Sequence, residues 1–445
     1  MKYLFLTAAM LMLLSCKKYL DKRPDEKMNV PSSLSDLQYL LDNYWLMNGA
    51  IPVYAAIGSD DYYLNSSDWA SVSNATSRNL YLWQADDNTV AYTQYYQAVY
   101  GANVVLDGLQ NIKFAPAEQD AFNNIKGSAL FYRSFMFYGL ASLFAKPYDD
   151  ATAGKDLGIA LRLDADFSTP SVRSSVSAAY ERIIEDYREA GRLLPLRPLL
   201  KTRPSKPAAY AALARTFLSM RRYDSAGYYA GQCIQLYDSL LDYNSLNPAV
   251  SPPVHVFNKE VIFHATSYQD AILLPSRCKV DSVLYGMYGA DDLRKTVFFQ
   301  SNSNGGYSFK GNYDGQTGSM FDGLTVDEIY LIRAECYARA GNTAEAMQDL
   351  NSLLEKRWKK GSFIPLAAAN SDEALNMILR ERRKELLFRG LRWTDLRRFC
   401  FEPGQTVVPR RMVNGEVYQL SARSPRYVLK LPRNVIEKSG MEQNP

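Results

Sequence analysis

Cys16 is the residue whose chemistry is plainest, because Leu13-Leu14-Ser15 stand directly before it and put its thiol where diacylglycerol attachment requires one. Lys2 precedes an apolar run from Tyr3 to Leu14, too short to span a ~30 Å hydrocarbon core as a helix. Residues 1–15 therefore read as a lipoprotein signal peptide, whose removal frees the Cys16 amine for a further acyl chain, and two or more chains make attachment stable. Paired carboxylates occur at Asp60-Asp61, Asp86-Asp87 and Asp291-Asp292. Glycosidic hydrolysis needs two carboxylates about 5–9.5 Å apart in unlike environments, and adjacency in sequence does not supply that. His255 and His264 are the only histidines, and Cys233, Cys278, Cys336 and Cys400 show no CxxC spacing, so neither a zinc site nor a His-based triad is expected. With no Gly-rich phosphate motif either, the sequence assigns no catalytic residue, no metal ligand and no cofactor. The formal charge of +4 is spread among interleaved acids and bases, which argues against a nucleic-acid partner. The 32 Tyr, 19 Phe and 5 Trp offer flat apolar faces with polar edges, suited to core packing and equally to the stacking of sugar rings or other ligands.

The elements that must position these residues are mostly helical. Lys17 to Pro31 is charged, ends in proline and reads as a tether, so residues 16–31 link the lipid to a single domain over 32–445. Leu34, Leu37, Leu40, Leu41 and Tyr44 recur at helical spacing behind a serine cap at Ser33 or Ser35. Residues 52–87 break that period and read as a long polar and aromatic loop. Helical periodicity returns over 89–112, 117–144 and 172–194, the last closed by Pro195. Ala214, Phe217 and Ala226 then recur 120 positions on, without a gap, as Ala334, Tyr337 and Ala346. Small residues at such places let two helices approach closely while the aromatic fills the groove, the pattern of tetratricopeptide helix pairs, here over 207–240 and 326–358. Generic helix packing is the competing explanation. Cys233 and Cys336 fall inside these patterns and are expected as buried free thiols. Between the pairs, 242–324 is rich in Pro, Gly and polar runs, with Val261-Ile262-Phe263 its one clear strand, and its length makes it functional surface. The expected class is mainly α, a helix-pair scaffold with long irregular loop insertions and a few short strands. No later stretch is apolar enough to cross a membrane.

Near the end stands Glu381-Arg382-Arg383-Lys384-Glu385-Leu386-Leu387-Phe388-Arg389-Gly390-Leu391-Arg392-Trp393-Thr394-Asp395-Leu396-Arg397-Arg398. Leu375, Ile378, Leu379 and Leu386 form an apolar face that also carries Arg382, so a buried Arg382 needs Glu385 or Asp395 as a partner. The spacing allows Glu385 to pair with Arg382 or Arg389 along the helix, places Gly390 as a left-handed C-cap, and lets Trp393 and Leu396 pack back. The motif reads as structural rather than ligand-contacting.

This stretch resembles the signature of the SusD/RagB family, a Glu-Arg-x-x-Glu-Leu helix leading into Gly-x-Arg-Trp-x-Asp-Leu-x-Arg. Ser15-Cys16-Lys17-Lys18-Tyr19-Leu20-Asp21, Tyr132-Arg133 through Lys146-Pro147-Tyr148, Leu331-Ile332-Arg333-Ala334-Glu335, Asp292-Leu293-Arg294 and Asn258-Lys259-Glu260-Val261-Ile262 are similar to its other motifs. The resemblance implies an outer-membrane nutrient-binding lipoprotein whose helical scaffold docks on a SusC-like TonB-dependent transporter, anchored by lipid alone, with ligand taken on loops 52–87 and 264–324. Exposure on the outer face is implied by the family, since Lys17-Lys18 follow Cys16 where an acidic run would be the clearer tag. For an oligosaccharide or polysaccharide, Tyr62, Trp69, Tyr81 and Trp83 are candidate platforms, Asp60, Asp61 and Asn65 candidate polar partners, and Tyr307 and Tyr313 second-line candidates. For any single aromatic the competing reading is local loop core. A peptide ligand of the same family, a structural adaptor and a surface glycosidase are the alternatives.

Overall fold

A computed structural model describes residues 31–445 apart from positions 50 and 304, so the signal peptide, Cys16 and nearly all of the tether lie outside the described residues. The first described helix, Leu34–Leu41, begins at a capping box in which the Ser33 hydroxyl accepts from the Asp36 amide and the Asp36 carboxylate accepts from the Ser33 amide. Its Leu37 packs on the bare backbone of Gly108, where a Cβ would meet the leucine at 2.8 Å. Gly108 belongs to Ala91–Asn111, which leads through a short turn into Gln119–Phe144 and then Val176–Leu193. Arg133 crosses from the second of these helices to the third in a bidentate pair with Asp186 at 2.7 and 2.9 Å, both groups buried.

The repeated template forms two helix pairs, Lys206–Ser219 with Tyr223–Leu236 and Val326–Arg339 with Thr343–Glu355. Ala214, Ala226, Ala334 and Ala346 are wholly buried at the crossings. The 120-residue offset extends to the turns. Arg221 and Gly341 both take positive φ, and the next residues, Arg222 and Asn342, have nearly the same backbone angles. The pairs stack on each other where Gly227 meets Cys336, at a distance a Cβ would cut to 3.0 Å. Cys233 and Cys336 are free and buried, as expected of apolar helix positions.

The segments read as loops are more ordered than the sequence suggests. Residues 52–87 contain the helices Tyr54–Gly58, Ser66–Ala70 and Ala75–Tyr81 and the strand Tyr62–Tyr63. The 242–324 insertion adds to Val261–Phe263 the strands Thr266–Tyr268, Lys279–Val280, Phe299–Ser301, Tyr307–Phe309 and Ser319–Phe321. Strands of two or three residues carry too little alternation to be read locally; 299–301 pairs with the nearby 307–309, and the others pair with distant antiparallel partners, such as 261–263 with 324–325 and 266–268 with 319–321.

The signature corrects two expectations and meets a third. Its helix, Ser371–Glu385, stops at Glu385, and Gly390, at φ 69°, caps the start of the next helix, Leu391–Phe399, rather than the end of the first. Glu385 pairs with neither Arg382 nor Arg389, because the burial of its helix end turns it toward Arg294 and Arg357. Arg382 takes the other expected partner, Asp395, at 2.9 Å.

Candidate functional site

Both expected ligand-side loops reach the same place. Tyr62–Tyr63 pairs with Lys279–Val280, so Tyr63 lies across from Lys279. Lys279 donates to Asp68 at 2.8 Å, Arg277 to the Ser71 hydroxyl at 2.9 Å, and Ser77 to Asp270 at 2.7 Å. The Arg410–Val413 and Glu416–Gln419 hairpin joins them through the Asn414 amide, which donates to Ser66 Oγ at 2.8 Å.

A strand turns alternate side chains to opposite faces, and that alternation overturns part of the expected site. Tyr62 points inward, its hydroxyl donating to the Ile57 carbonyl, while Tyr63 points out and is 39% exposed. Tyr81 is buried too, its hydroxyl accepting from the Leu64 amide. Trp83 donates its indole N–H to the Gly58 carbonyl at 2.9 Å and shows only an edge, on a cleft of about 250 Å³ that Tyr54, Asp86 and Trp393 also line. Tyr313 sits in the core between Glu260 and Tyr243, with both oxygens 2.6 Å from its hydroxyl. Tyr62, Tyr81, Trp83 and Tyr313 are therefore framework: buried rings offer no face to a ligand.

Of the polar candidates, Asn65 is exposed but spends its side-chain oxygen on the Asp68 amide, capping the Ser66–Ala70 helix. Asp60 is held by Arg392 at 2.6 and 2.9 Å and by Arg383 at 3.3 Å. Burial alone would raise its carboxyl pKa, but the Arg392 and Arg383 guanidiniums outweigh that and keep it well below the usual range. Asp61, fully buried, faces the Arg383 Nε at 3.7 Å, and burial first and the Asp60 charge second push it up to about 6. Neither carboxylate faces an open surface; both are anchors for the loop.

The candidates left at the surface are Trp69 and Tyr307, and the structure adds Tyr63 and Tyr285. Trp69, half-buried, is fixed by its N–H to the Arg78 carbonyl at 3.3 Å, with the Arg78 guanidinium over its ring. Tyr307 stacks on Tyr285 at 3.7 Å and 13°. Gly306, at φ 74°, carries the chain past the Tyr63 hydroxyl, which a Cβ would meet at 3.2 Å. The accessible parts of these rings, Tyr63 foremost, can cover the C–H side of a ligand while Asp68 and Asn65 bond its edge. Tyr63 was hidden by register: nothing local tells which residue of a tyrosine pair faces out.

Arg383 and Arg392 are the signature's contribution to this surface, since both grip the Asp60-Asp61 corner from which the Tyr63 strand departs, and Arg383 also reaches Asp281 at 3.8 Å. The remaining signature charges form two buried clusters. Arg294 contacts Asp292, Glu381 and Glu385; Arg357 contacts Glu260 and Glu385; Arg389 contacts Asp327; and Arg398 bridges Asp395 to Glu335. Among the described residues, no cluster of His, Cys, Asp and Glu is arranged to hold a metal ion.

Asp61 gives a pH test of this corner. A carboxyl whose pKa is raised on folding stabilises the fold while protonated, fully below its unfolded value of 3.8, and the benefit fades as pH rises through about 6. Between pH 4 and 7 the wild type should lose stability relative to Asp61→Asn by on the order of 2 kcal/mol. Parallel melting curves of the two proteins across that range would refute the raised value.

Comparison with known proteins places this frame. A family model described as starch-binding and associating with the outer membrane matches residues 18–218, and one described as the SusD family matches 296–443. The chain belongs to the SusD/RagB family. SusD-like protein P2 of Formosa agariphila is 24% identical over 375 residues, covering 70% of this chain and 72% of that protein. A SusD superfamily protein of Bacteroides thetaiotaomicron superposes with a TM-score of 0.76 at 20% identity, over 93% of this chain and 100% of its own. A laminarin-binding SusD-like protein does so with a TM-score of 0.67 at 18% identity, over 92% and 97%. The mainly α, tetratricopeptide-like fold expected from the repeated template is thus the SusD fold. No described helix is long and apolar enough to cross a membrane.

Proposed function

We propose that this SusD/RagB protein is a glycan-binding lipoprotein, tethered to the outer membrane through acylated Cys16, that passes its ligand to a SusC-like TonB-dependent transporter. The observation that carries the binding reading is an aromatic surface on which Tyr63 is exposed and Trp69 and the Tyr285–Tyr307 stack are partly so, beside Asp68 and Asn65 on a SusD frame. Its chemistry suits pyranose rings, and the laminarin-binding relative shares the fold. The helix pairs 206–236 and 326–355 would be the docking scaffold, and nothing in the role calls for a catalytic group.

Affinity electrophoresis and calorimetry against laminarin, starch, xylan and a mixed peptide pool test this reading. Retention by at least one glycan is expected. Truncating one aromatic anchor costs about 2 kcal/mol, roughly 30-fold in affinity, so Tyr63→Ala or Trp69→Ala should weaken binding by that order, with the melting temperature kept in Tyr63→Ala and the folded circular-dichroism spectrum kept in both. Binding of peptides alone would replace the glycan reading with peptide uptake. Co-purification of a transporter without any ligand binding would leave a structural adaptor.

A further inference from the structure

A second groove, of about 640 Å³, shares no residue with the surface above. Its floor is the helix Ala91–Asn111, which sets Tyr92, Tyr96 and Tyr100 four residues apart and hence on one face. Tyr92 and Tyr96 touch at 4.7 Å between ring centres, and Tyr100 meets Phe167, from the 160–171 loop, also at 4.7 Å. The result is two ring pairs along one helix face, the outer of them reaching solvent, with Tyr100 40% and Phe167 79% exposed.

The loop does not leave Phe167 outside for want of structure. Asn103 donates to the Arg162 and Asp164 carbonyls, both at 2.9 Å, Asp107 accepts from the Ala165 amide at 2.8 Å, and Arg162 ties back to the Asp166 and Thr169 carbonyls. Asn103 is itself buried and accepts from Arg133 at 3.1 Å, so the loop is bolted to the helix core. On the other wall, the Arg433–Ser439 helix contributes Asn434, Lys438 and Ser439. The charges around the groove balance, Arg162 and Lys438 against Asp164 and Asp166.

We propose that this groove is a second binding site for a neutral oligosaccharide, its rings stacking on Tyr100 and Phe167 and its hydroxyl groups bonding to Asn434, Lys438, Ser439 and the loop. The volume lies within the range of small-ligand sites. Balanced charge disfavours an anionic or cationic ligand, whereas aromatic faces with short amides and hydroxyls suit a polyhydroxylated ring. The inference rests on the glycan reading above, and it makes the protein bivalent, so that a long chain spanning both sites gains avidity over a short one.

Calorimetry of the full chain with laminarihexaose, maltohexaose and xylohexaose provides the test. A saccharide that binds should do so at two sites per chain, and the Tyr63→Ala/Trp69→Ala variant should keep one. Adding Tyr100→Ala and Phe167→Ala should weaken that residual binding at least tenfold with unchanged melting, since both side chains are exposed, and Phe167→Trp should restore it. One site in the wild type, residual binding indifferent to Tyr100 and Phe167, or displacement by a neutral peptide would overturn the second site while leaving the first. Binding of none of the three saccharides, with laminarin, starch and xylan also unbound, would sink both readings together.

Discussion

Arg357→Met is expected to destabilise the fold by about 3–5 kcal/mol, the cost of leaving a buried charge network without one partner. Arg357 is fully buried just beyond the second helix pair. Its guanidinium donates to Glu385 at 2.7 Å, to Glu260 at 2.6 Å and to the Leu241 carbonyl at 2.7 Å, and lies 4.1 Å from the centre of the Tyr243 ring. One side chain therefore joins the signature helix, the 242–324 insertion and the repeat. Methionine roughly keeps the volume but satisfies none of the three acceptors, and Glu260 loses its only charged hydrogen-bond partner among the described residues. Glu385 retains Arg294. The double variant Arg357→Met/Glu260→Gln should recover part of the loss, because it removes the stranded charge. Urea unfolding followed by circular dichroism measures both; a midpoint unchanged in the single variant would mean the network adds no stability.

The second large effect should come from Arg411→Ala, which lies in the hairpin, far in sequence from the loop it holds. Its guanidinium rests 3.8 Å from the centre of the Tyr81 ring, 4.5 Å from Trp83 and 5.0 Å from Tyr62, and it donates to the backbone carbonyls of Ile57, Ser59 and Tyr81. Removing it strips the Ser59 and Tyr81 carbonyls of their donor, leaves the Ile57 carbonyl with the Tyr62 hydroxyl alone, and leaves three rings without their cation. Each carbonyl stripped of its partner costs about 1–3 kcal/mol. The 57–83 segment should then open locally and carry Tyr63 and Trp69 out of place, so glycan affinity should fall at least as far as in the single aromatic variants. Hydrogen exchange resolves this from global unfolding: faster exchange confined to 57–83 and its neighbours is expected. Arg411→Lys should not rescue, since an ammonium lacks the planar fork that reaches several carbonyls while stacking. Full affinity in Arg411→Ala would show that the loop holds itself.

These two arginines also show how far the sequence could be read. The motifs that suggested the family, Asn258 to Ile262, Asp292-Leu293-Arg294, Leu331 to Glu335 and Glu381 to Arg398, look unrelated along the chain. Folded, Glu260, Asp292, Arg294, Glu381 and Glu385 are linked through buried ion pairs that run by way of Arg357, and Glu335 and Arg398 pair in a second buried cluster with Asp395. Arg357 and Arg411, equally central, sit in no quoted motif; a lone arginine in a loop or hairpin looks like any surface charge until its surroundings are known. The same limit explains the aromatic candidates. Trp69 and Tyr307 remain at the surface, but Tyr62, Tyr81, Trp83 and Tyr313 are inside, and loop composition says nothing about which way a ring turns.

The sequence by itself determined the helices, their pairing and the family, because amphipathic period, small residues at crossings and turn residues act over a few positions and a repeat doubles their signal. It also marked Cys16 as the expected point of attachment. Only the tertiary structure decided which rings face solvent, which carboxylates serve as anchors, and that two aromatic surfaces exist where one loop cluster was expected. Those outcomes depend on strand register and on charges brought together from 100 or more residues away, as Arg357 is from Leu241 and Arg411 from Tyr81.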